Sequence, residues 1–217
     1  MNREKEIFEE LFVRYPALEG IREDIKSAYD VICACFDRGG KLLICGNGGS
    51  AADADHICGE LLKGFLQLRP LASDMQEAFG NRFGDEGRET AGKLQNGLRA
   101  VSLLSHPGFS SAFANDVDPD LVFAQQLWAL ARPGDLLLAI STGGNASNVR
   151  KALMAAAVKG VGTILLTGDR NGCCEKYADC VVAVPEKETY RIQELHLPIY
   201  HAFCMALEAR FFGGGEE

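Results

Sequence analysis

Apolar residues follow a helical rhythm near the start of the chain. Between residues 3 and 38 they recur three or four positions apart, which places them on one face of a helix. Pro16 and Gly20 interrupt this rhythm, because both residue types break helices. The pattern therefore predicts two helices in this region. Their apolar positions are Ile7, Leu11, Ile21, Ile25, Ala28, Tyr29, Ile32 and Phe36.

Beyond residue 38 the apolar residues form short continuous runs, which are typical of buried strands. Helical segments lie between the runs, ending near Lys63 and Lys159, and a last helix is predicted over 190–211. Strands that alternate with helices indicate a parallel sheet covered on both faces. The five predicted strands cover residues 41–45, 100–104, 135–140, 162–167 and 180–184.

This order of elements predicts an α/β fold, a doubly wound five-stranded parallel sheet with N-terminal helices. We divide the chain into a helical arm over 1–38, an α/β domain over 39–212 and a flexible tail over 213–217. The segment 64–99 is polar and glycine-bearing, and within it only 75–83 suggests a helical turn or two. Because connections of this length are usually functional or mobile, we expect an insertion beside the site.

Composition and charge narrow the class of protein. The 217 residues are 47% hydrophobic and 24% charged, as in an ordinary folded domain. A net charge of −8 without a basic stripe argues against a nucleic-acid partner. The charged N-terminus does not resemble a secretion signal, and no apolar run reaches the roughly 18 residues of a membrane span. Eight cysteines without a paired C-x-x-C set favour reduced core thiols in a cytoplasmic protein.

Two glycine-bearing loops, 46–50 and 141–145, follow predicted strands and lead into helices. Ligands of doubly wound sheets bind at that edge. Main-chain N–H groups at a helix N-terminus suit a phosphate, and small residues let the main chain approach it. Two such loops favour a phosphate site over glycines that only permit tight turns. The loops contribute Gly48, Gly49 and Asn145, and the hydroxyls of Ser50, Ser141 and Thr142.

The first loop nearly matches a dinucleotide-binding fingerprint, with Gly46, Gly48 and Ala51 in register. That fingerprint also needs an acidic residue at the end of the next strand, about 20 residues on. Here the helix continues to Lys63 and a long polar segment follows, so a nicotinamide site is disfavoured. A P-loop is excluded because no Gly-Lys-Ser/Thr sequence follows.

Histidines and carboxylates occur together in two predicted helices. His56 and Glu60 are four residues apart on one face, and Asp53 lies one turn earlier. The last helix carries His196 and His201. Imidazole and carboxylate groups together serve as acid and base, or as ligands of a divalent metal. The alternative is that each is an isolated polar residue on a solvated face.

Spacing on the last helix limits which residues can share a ligand. Gln193 and His201 lie eight positions apart, which is roughly 12 Å along a straight helix. They reach one ligand only if both side chains point inward, if the helix is distorted near Pro198, or if the site crosses a subunit boundary. The sequence leaves these arrangements open.

Three sequence blocks resemble the signature blocks of phosphoheptose isomerases, within the sugar isomerase (SIS) family. These blocks are 45–60 (CGNGGSAADADHICGE), 140–145 (ISTGGN) and 191–196 (RIQELH), the last followed by His201. Residues 113–117 match a further block of the family. The resemblance covers roughly residues 20–210, apart from the 64–99 insertion.

The resemblance implies an SIS fold of the flavodoxin-like type and an aldose–ketose isomerisation, of sedoheptulose 7-phosphate to D-glycero-D-manno-heptose 7-phosphate or of a related sugar phosphate. It implies that Glu60 and His201 are the catalytic acid–base pair. It also implies a homotetramer with sites at subunit interfaces. Substrate and phosphate contacts would come from Asn47, Ser50, Ser141, Thr142 and Gln193. Zinc or another divalent metal would be held by His56, Glu60, Gln193 and His201.

Three positions depart from the family pattern. Gly143 and Ala146 stand where the isomerases usually carry serine, and Tyr190 stands where they usually carry aspartate. A lost hydrogen bond to a charged group costs about 1.5–3 kcal/mol unless a main-chain N–H or water replaces it. A second hypothesis is therefore a non-catalytic SIS module that binds a sugar phosphate or a protein partner such as a replication initiator. A third is another phosphosugar reaction, such as a lyase or deaminating step.

Overall fold

The N-terminal region is helical, as predicted. A computed structural model describes residues 3–169 and 171–213 of the chain. Within it, α1 (Arg3–Arg14) and α2 (Arg22–Asp37) are separated by a short 3-10 helix, Pro16–Ile21. The interruption near Pro16 is thus confirmed. Of the predicted tail over 213–217, only Gly213 is described, and the rest lies outside the described residues.

The centre of the fold is a parallel sheet of five strands. They are β1 (Leu42–Cys45), β2 (Ala100–Ser102), β3 (Leu136–Ile140), β4 (Gly162–Gly168) and β5 (Cys180–Val184). Their order in the sheet is β2-β1-β3-β4-β5, and each neighbouring pair is parallel. This is the flavodoxin-like order, so the predicted fold class is confirmed.

The helices that follow the strands cover both faces of the sheet. They are α3 (Gly49–Leu62), α4 (Ser73–Lys93), α5 (Pro107–Asp116), α6 (Val122–Leu130), α7 (Ser147–Lys159) and α8 (Thr189–Phe212). The apolar rhythm of the sequence did not predict α5 and α6. None of the helices in the described part of the chain has the length and apolarity needed to cross a bilayer.

Alternate strand residues pack on opposite faces of the sheet. Leu42 and Ile44 of β1 are buried in a cluster with α1, α2, α3 and α8, whereas Leu43 and Cys45 are buried with α6 and α7. Phe8 of α1 belongs to the first cluster. The predicted N-terminal arm therefore packs onto the α/β domain and shares its core.

The predicted insertion is more helical than expected, so the prediction of a turn or two over 75–83 was too short. Helix α4 runs for 21 residues and is interrupted at Gly84, where φ is +63°. Apolar periodicity did not reveal this helix because most of its side chains are exposed. It is supported by its own ion pairs at helical spacing, such as Arg88 with Asp85.

A buried ion pair fixes the chain where it leaves α3. Arg69 donates from Nε to Glu208 Oε1 at 2.9 Å, and both side chains are almost fully buried. Arg69 also donates to the main-chain carbonyls of Leu61 at 3.0 Å and Glu60 at 3.3 Å, which caps the end of α3. Glu208 accepts from the main-chain N–H groups of residues 65–66, both at 2.8 Å. The pair thus has the additional hydrogen bonds that stable burial requires.

His196 of α8 is a core residue. Its side chain is fully buried, and Nε2 lies 3.2 Å from the main-chain oxygen of Thr167 at the end of β4. Since a carbonyl only accepts, Nε2 carries the proton. Burial lowers the pKa of His196 to about 4, so the ring is neutral near neutral pH. His196 is therefore a packing residue.

We expect Arg69→Met to destabilise the fold by about 3–5 kcal/mol, because it leaves the Glu208 carboxylate buried without its charged partner. Urea unfolding followed by circular dichroism measures the change. The control is Arg14→Met, which breaks an ion pair with Glu10 in which both side chains are 63% exposed. That substitution should cost less than about 1 kcal/mol, and equal effects of the two would contradict the role of the buried pair.

His196 should make stability depend on pH. Its pKa is lowered to about 4 in the folded state from the ordinary value of 6.5, so between these values the unfolded state binds the extra proton. Its contribution to stability is fully present above pH 6.5 and declines as the pH falls toward 4. We expect the free energy of unfolding, measured in urea, to fall between about pH 7 and about pH 4.5. The fall should be about 2 kcal/mol smaller in His196→Gln than in the unmodified protein. Equal losses would rule out His196 as the source.

Candidate functional site

The two glycine loops meet at the carboxyl edge of the sheet. Strands β1 and β3 are neighbours, so the loops that follow Cys45 and Ile140 lie side by side. They enclose a cavity of about 220 Å³. It is lined by Asn47, Ser50, Ile140, Ser141, Thr142, Gly143, Asn145 and Ala146. No cationic side chain of the described residues is among them, so an anion would meet main-chain N–H groups, hydroxyls and amides there.

Glycine conformation determines the shape of both loops. Gly48 and Gly144 have φ values of +58° and +61°, which residues other than glycine rarely adopt. Gly144 also lies against the main chain of Gly172, and a Cβ on Gly144 would come within 2.9 Å of the Gly172 Cα. A side chain at residue 144 would therefore displace the loop.

Three asparagine side chains hold the loops in place. Asn47 and Asn148 exchange two hydrogen bonds, each amide nitrogen donating to the other's oxygen at 2.9 Å. Asn145 donates to the carbonyl of Gly143 at 2.7 Å and accepts from the N–H of Cys173 at 2.9 Å. Asn47 and Asn145, which were predicted at the phosphate site, thus shape its walls. Asn148 was missed, and its place in the first turn of α7 is the signal that would have suggested it.

Gln193 lies at the cavity end of the site. Its side chain packs over Gly49, where a Cβ would come within 2.2 Å of Gln193 Nε2. His201, further along the same helix, packs instead against His56. The helix continues through Pro198, so no break brings the two ends together. Within one chain, Gln193 and His201 therefore contact different parts of α3.

A histidine–glutamate cluster lies where α3 and α8 pack side by side. His56 Nε2 is 3.4 Å from Glu60 Oε1, and the rings of His56 and His201 have centroids 5.0 Å apart. On the other side of the carboxylate, Lys63 Nζ lies 3.1 Å from Glu60 Oε2. Phe65 covers His201, with ring centroids 5.5 Å apart. The predicted acid–base residues thus share one cluster, and Lys63 and Phe65 are neighbours that the sequence did not identify.

His201 carries a ring nitrogen without a hydrogen-bond partner among the described residues. This nitrogen, Nε2, is buried. Burial, together with nearby His56, lowers the pKa of His201, so the ring is neutral at neutral pH. A neutral imidazole with an unpartnered nitrogen is suited to take up a proton or to bind a metal ion.

The cluster fits a divalent metal in the type of its donors. Imidazole nitrogen and carboxylate oxygen are zinc ligands, and Nε2 of His201 has no hydrogen-bond partner among the described residues. Yet no group of three or more His, Cys, Asp or Glu side chains in the described ranges is placed to hold a metal ion. Gln193, the fourth predicted ligand, packs over Gly49. One chain therefore presents suitable donors without a finished coordination site.

The cavity and the cluster occupy different levels of α3. Ser50 lines the cavity and Glu60 belongs to the cluster, and a separation of ten residues corresponds to roughly 15 Å along a helix. His56 is the member of the cluster nearest the cavity along α3. A ligand whose anionic group occupies the cavity would therefore extend along α3 toward the cluster.

The chain is similar to proteins of one family over most of its length. SIS-domain models match residues 15–84 and 111–210. A phosphoheptose isomerase from Synechocystis sp. is 37% identical over 188 residues, covering 87% of this chain and 84% of that protein. Another from Laribacter hongkongensis is 36% identical over 209 residues, covering 95% and 93%.

Solved structures agree with the sequence comparison. A phosphoheptose isomerase from Neisseria gonorrhoeae matches with a TM-score of 0.69 and 32% identity, covering 95% of this chain and 92% of that one. One from Francisella tularensis matches with a TM-score of 0.70 and 27% identity, covering 85% of each chain. With this identity over nearly its whole length, the chain belongs to the phosphoheptose isomerase family of SIS-domain proteins.

Proposed function

We propose that this protein is an enzyme that isomerises a sugar phosphate between its aldose and ketose forms. The reaction that we favour converts sedoheptulose 7-phosphate to D-glycero-D-manno-heptose 7-phosphate. One observation carries the proposal: a cavity suited to an anion and an acid–base cluster lie along the same helix, in a chain of this family.

The phosphate would bind between the two glycine loops. Helices α3 and α7 begin there, so their N–H groups and dipoles favour a dianion. The hydroxyls of Ser50, Ser141 and Thr142 line the cavity and would add hydrogen bonds. Gly143 and Ala146 also line it without a hydroxyl, so the main chain has to supply part of the binding. Recognition would therefore depend on loop geometry more than on charged side chains.

Glu60 and His201 would move the protons. Aldose–ketose isomerisation transfers a proton between adjacent carbons and another between their oxygens, which suits a pair of acid–base groups. We assign the proton on carbon to the Glu60 carboxylate and the protons on oxygen to His201. The neutral state of His201 supports this assignment, because burial lowers its pKa and leaves Nε2 able to accept a proton.

We further propose that zinc or another divalent ion binds at this cluster, with His56, Glu60 and His201 as ligands. Such an ion, when bound, would polarise the sugar oxygens. Gln193 would complete the set only from a neighbouring subunit, because within the chain it packs over Gly49. The protein's own groups would orient the sugar between the cavity and the cluster.

A homotetramer with sites at subunit interfaces is part of the proposal. Large apolar side chains are exposed directly after Glu60: Leu62 is 55%, Leu66 62% and Leu68 80% exposed. Neighbouring exposed apolar side chains mark contact surfaces, so a second subunit covering this face would also close the cluster. We also propose a cytoplasmic location, since eight free thiols are typical of a reducing compartment.

The non-catalytic alternative is not favoured. The similar proteins are phosphoheptose isomerases matched over most of their length, and the chain retains both Glu60 and His201.

Substitution of either proposed acid–base residue should remove turnover and leave the fold intact. We expect Glu60→Gln and His201→Asn each to lower kcat/KM at least about 100-fold, because each removes a proton-transfer group. The assay follows interconversion of sedoheptulose 7-phosphate and a panel of other aldose and ketose phosphates. Glu89→Gln is the control, since Glu89 is an exposed helical carboxylate paired with Lys93. Undiminished turnover in either test variant would refute the assignment.

Metal content should depend on the cluster. Elemental analysis of purified protein should find about one zinc or other divalent ion per chain, and His56→Ala should lose most of it. His106→Ala is the control, because His106 contacts Gln126 outside the cluster. Protein that is free of metal but fully active would contradict the metal proposal without affecting the acid–base assignment.

A further inference from the structure

Two hydrogen bonds that share one hydroxyl connect α8 to the site face of α3. The Tyr200 hydroxyl lies 3.1 Å from Asp53 Oδ1 and 3.1 Å from His56 Nδ1. Tyr200 is 1% exposed, and its ring meets the His56 ring edge-on, with centroids 5.5 Å apart. Geometry therefore holds the hydroxyl between a carboxylate and an imidazole, with little room to turn away.

The direction of these hydrogen bonds follows from the number of protons available. A hydroxyl donates one hydrogen and accepts others, and an ionised carboxylate only accepts. The Tyr200 hydrogen therefore points to Asp53. The contact with His56 then needs a hydrogen from the imidazole, so Nδ1 of His56 carries a proton and donates to the Tyr200 oxygen.

This direction fixes the reactive side of His56. A neutral imidazole that is protonated at Nδ1 has its lone pair on Nε2. That nitrogen lies 3.4 Å from Glu60 Oε1. Two acceptor atoms then lie near each other there, and a proton or a cation between them would stabilise the arrangement. The cation of Lys63, on the far oxygen of Glu60, reduces the repulsion.

We propose that Asp53 and Tyr200 are positioning residues that hold His56 in the Nδ1–H tautomer, with Nε2 as an acceptor close to Glu60. This inference rests on the proposed function, because it concerns the same acid–base cluster. Neither residue touches the reacting atoms. Both act through the ring of His56, as the hydrogen-bonding partner of a site histidine commonly does.

The burial of Asp53 argues against a purely structural role. Its Oδ2 is buried and has no hydrogen-bond partner among the described residues. Burial raises the pKa of Asp53, and the hydrogen bond from Tyr200 opposes this effect. Replacing a polar pair at such a half-buried position by apolar residues is often neutral or stabilising. Packing alone does not explain a carboxylate at this position.

The direct test reads the protonation of each ring nitrogen. The chain has four histidines, so ¹⁵N-histidine labelling and long-range ¹⁵N–¹H correlation can resolve them, with His56→Gln assigning the His56 signals. Chelator-treated protein is used at about pH 8, where an ordinary imidazole is neutral. We expect His56 to carry its proton on Nδ1 and not on Nε2. A proton on Nε2, alone or together with one on Nδ1, would overturn the proposal.

Two variants test the roles of Tyr200 and Asp53 separately. Tyr200→Phe removes the acceptor of Nδ1–H, so the proton should move to Nε2. Asp53→Ala keeps Tyr200 but frees its hydrogen to point at Nδ1, so the same shift is expected although the Tyr200–His56 contact remains. Tyr29→Phe is the matched control, because it removes another tyrosine–carboxylate hydrogen bond, to Glu4 at 2.7 Å. It should leave the His56 signals unchanged.

Kinetics give a second readout. In the untreated enzyme, Tyr200→Phe and Asp53→Ala should lower kcat about 10- to 100-fold with KM changed less than about threefold. Tyr29→Phe should behave like the unmodified protein. A Tyr200→Phe enzyme with unchanged kcat would refute the positioning role. If the unmodified protein isomerises no sugar phosphate, the proposed function fails, whereas the nuclear magnetic resonance result still decides the direction of the hydrogen bonds.

Discussion

The parallel contact between α3 and α8 organises the whole site. Both helices begin at the carboxyl edge of the sheet and run in the same direction, so each turn of one meets the corresponding turn of the other. Gln193 packs over Gly49 at the start of the contact, and His201 meets His56 further along. The Arg69 ion pair closes the far end by joining the end of α3 to α8. A bound ligand would therefore contact residues along one continuous surface.

Two histidines of α8 differ in role because their surroundings differ. His196 and His201 are five residues apart on α8, so they point in different directions. His196 faces the end of β4 and donates to a carbonyl, and burial keeps it neutral. His201 faces α3, where burial also lowers its pKa but its Nε2 remains unpartnered beside His56. Residue type is identical, and only the neighbouring groups make one a packing residue and the other a candidate for proton transfer.

The sequence predicted the sheet and the glycine loops well because short apolar runs and glycine-rich turns are local signals. It predicted α4 poorly, since a mostly exposed helix has no buried apolar stripe to reveal it. The spacing argument for Gln193 and His201 was sound, as the two contact different parts of α3. Tyr200 was invisible in the sequence, because its importance comes from Asp53 and His56, more than 140 positions earlier. Such partners become neighbours only through tertiary packing.

Directed hydrogen bonds, and not net charge, organise both halves of the site. The chain carries a charge of −8, and no cationic side chain in the described part lines the loop cavity. An anion bound there would be held by N–H groups and helix dipoles whose orientation the folded loops have already fixed. At the cluster, Asp53 orients the hydroxyl of Tyr200, which in turn orients His56. Since each group is held in one direction before a ligand arrives, little reorganisation opposes binding or proton transfer. Such pre-organisation would let an acidic protein bind an anionic sugar.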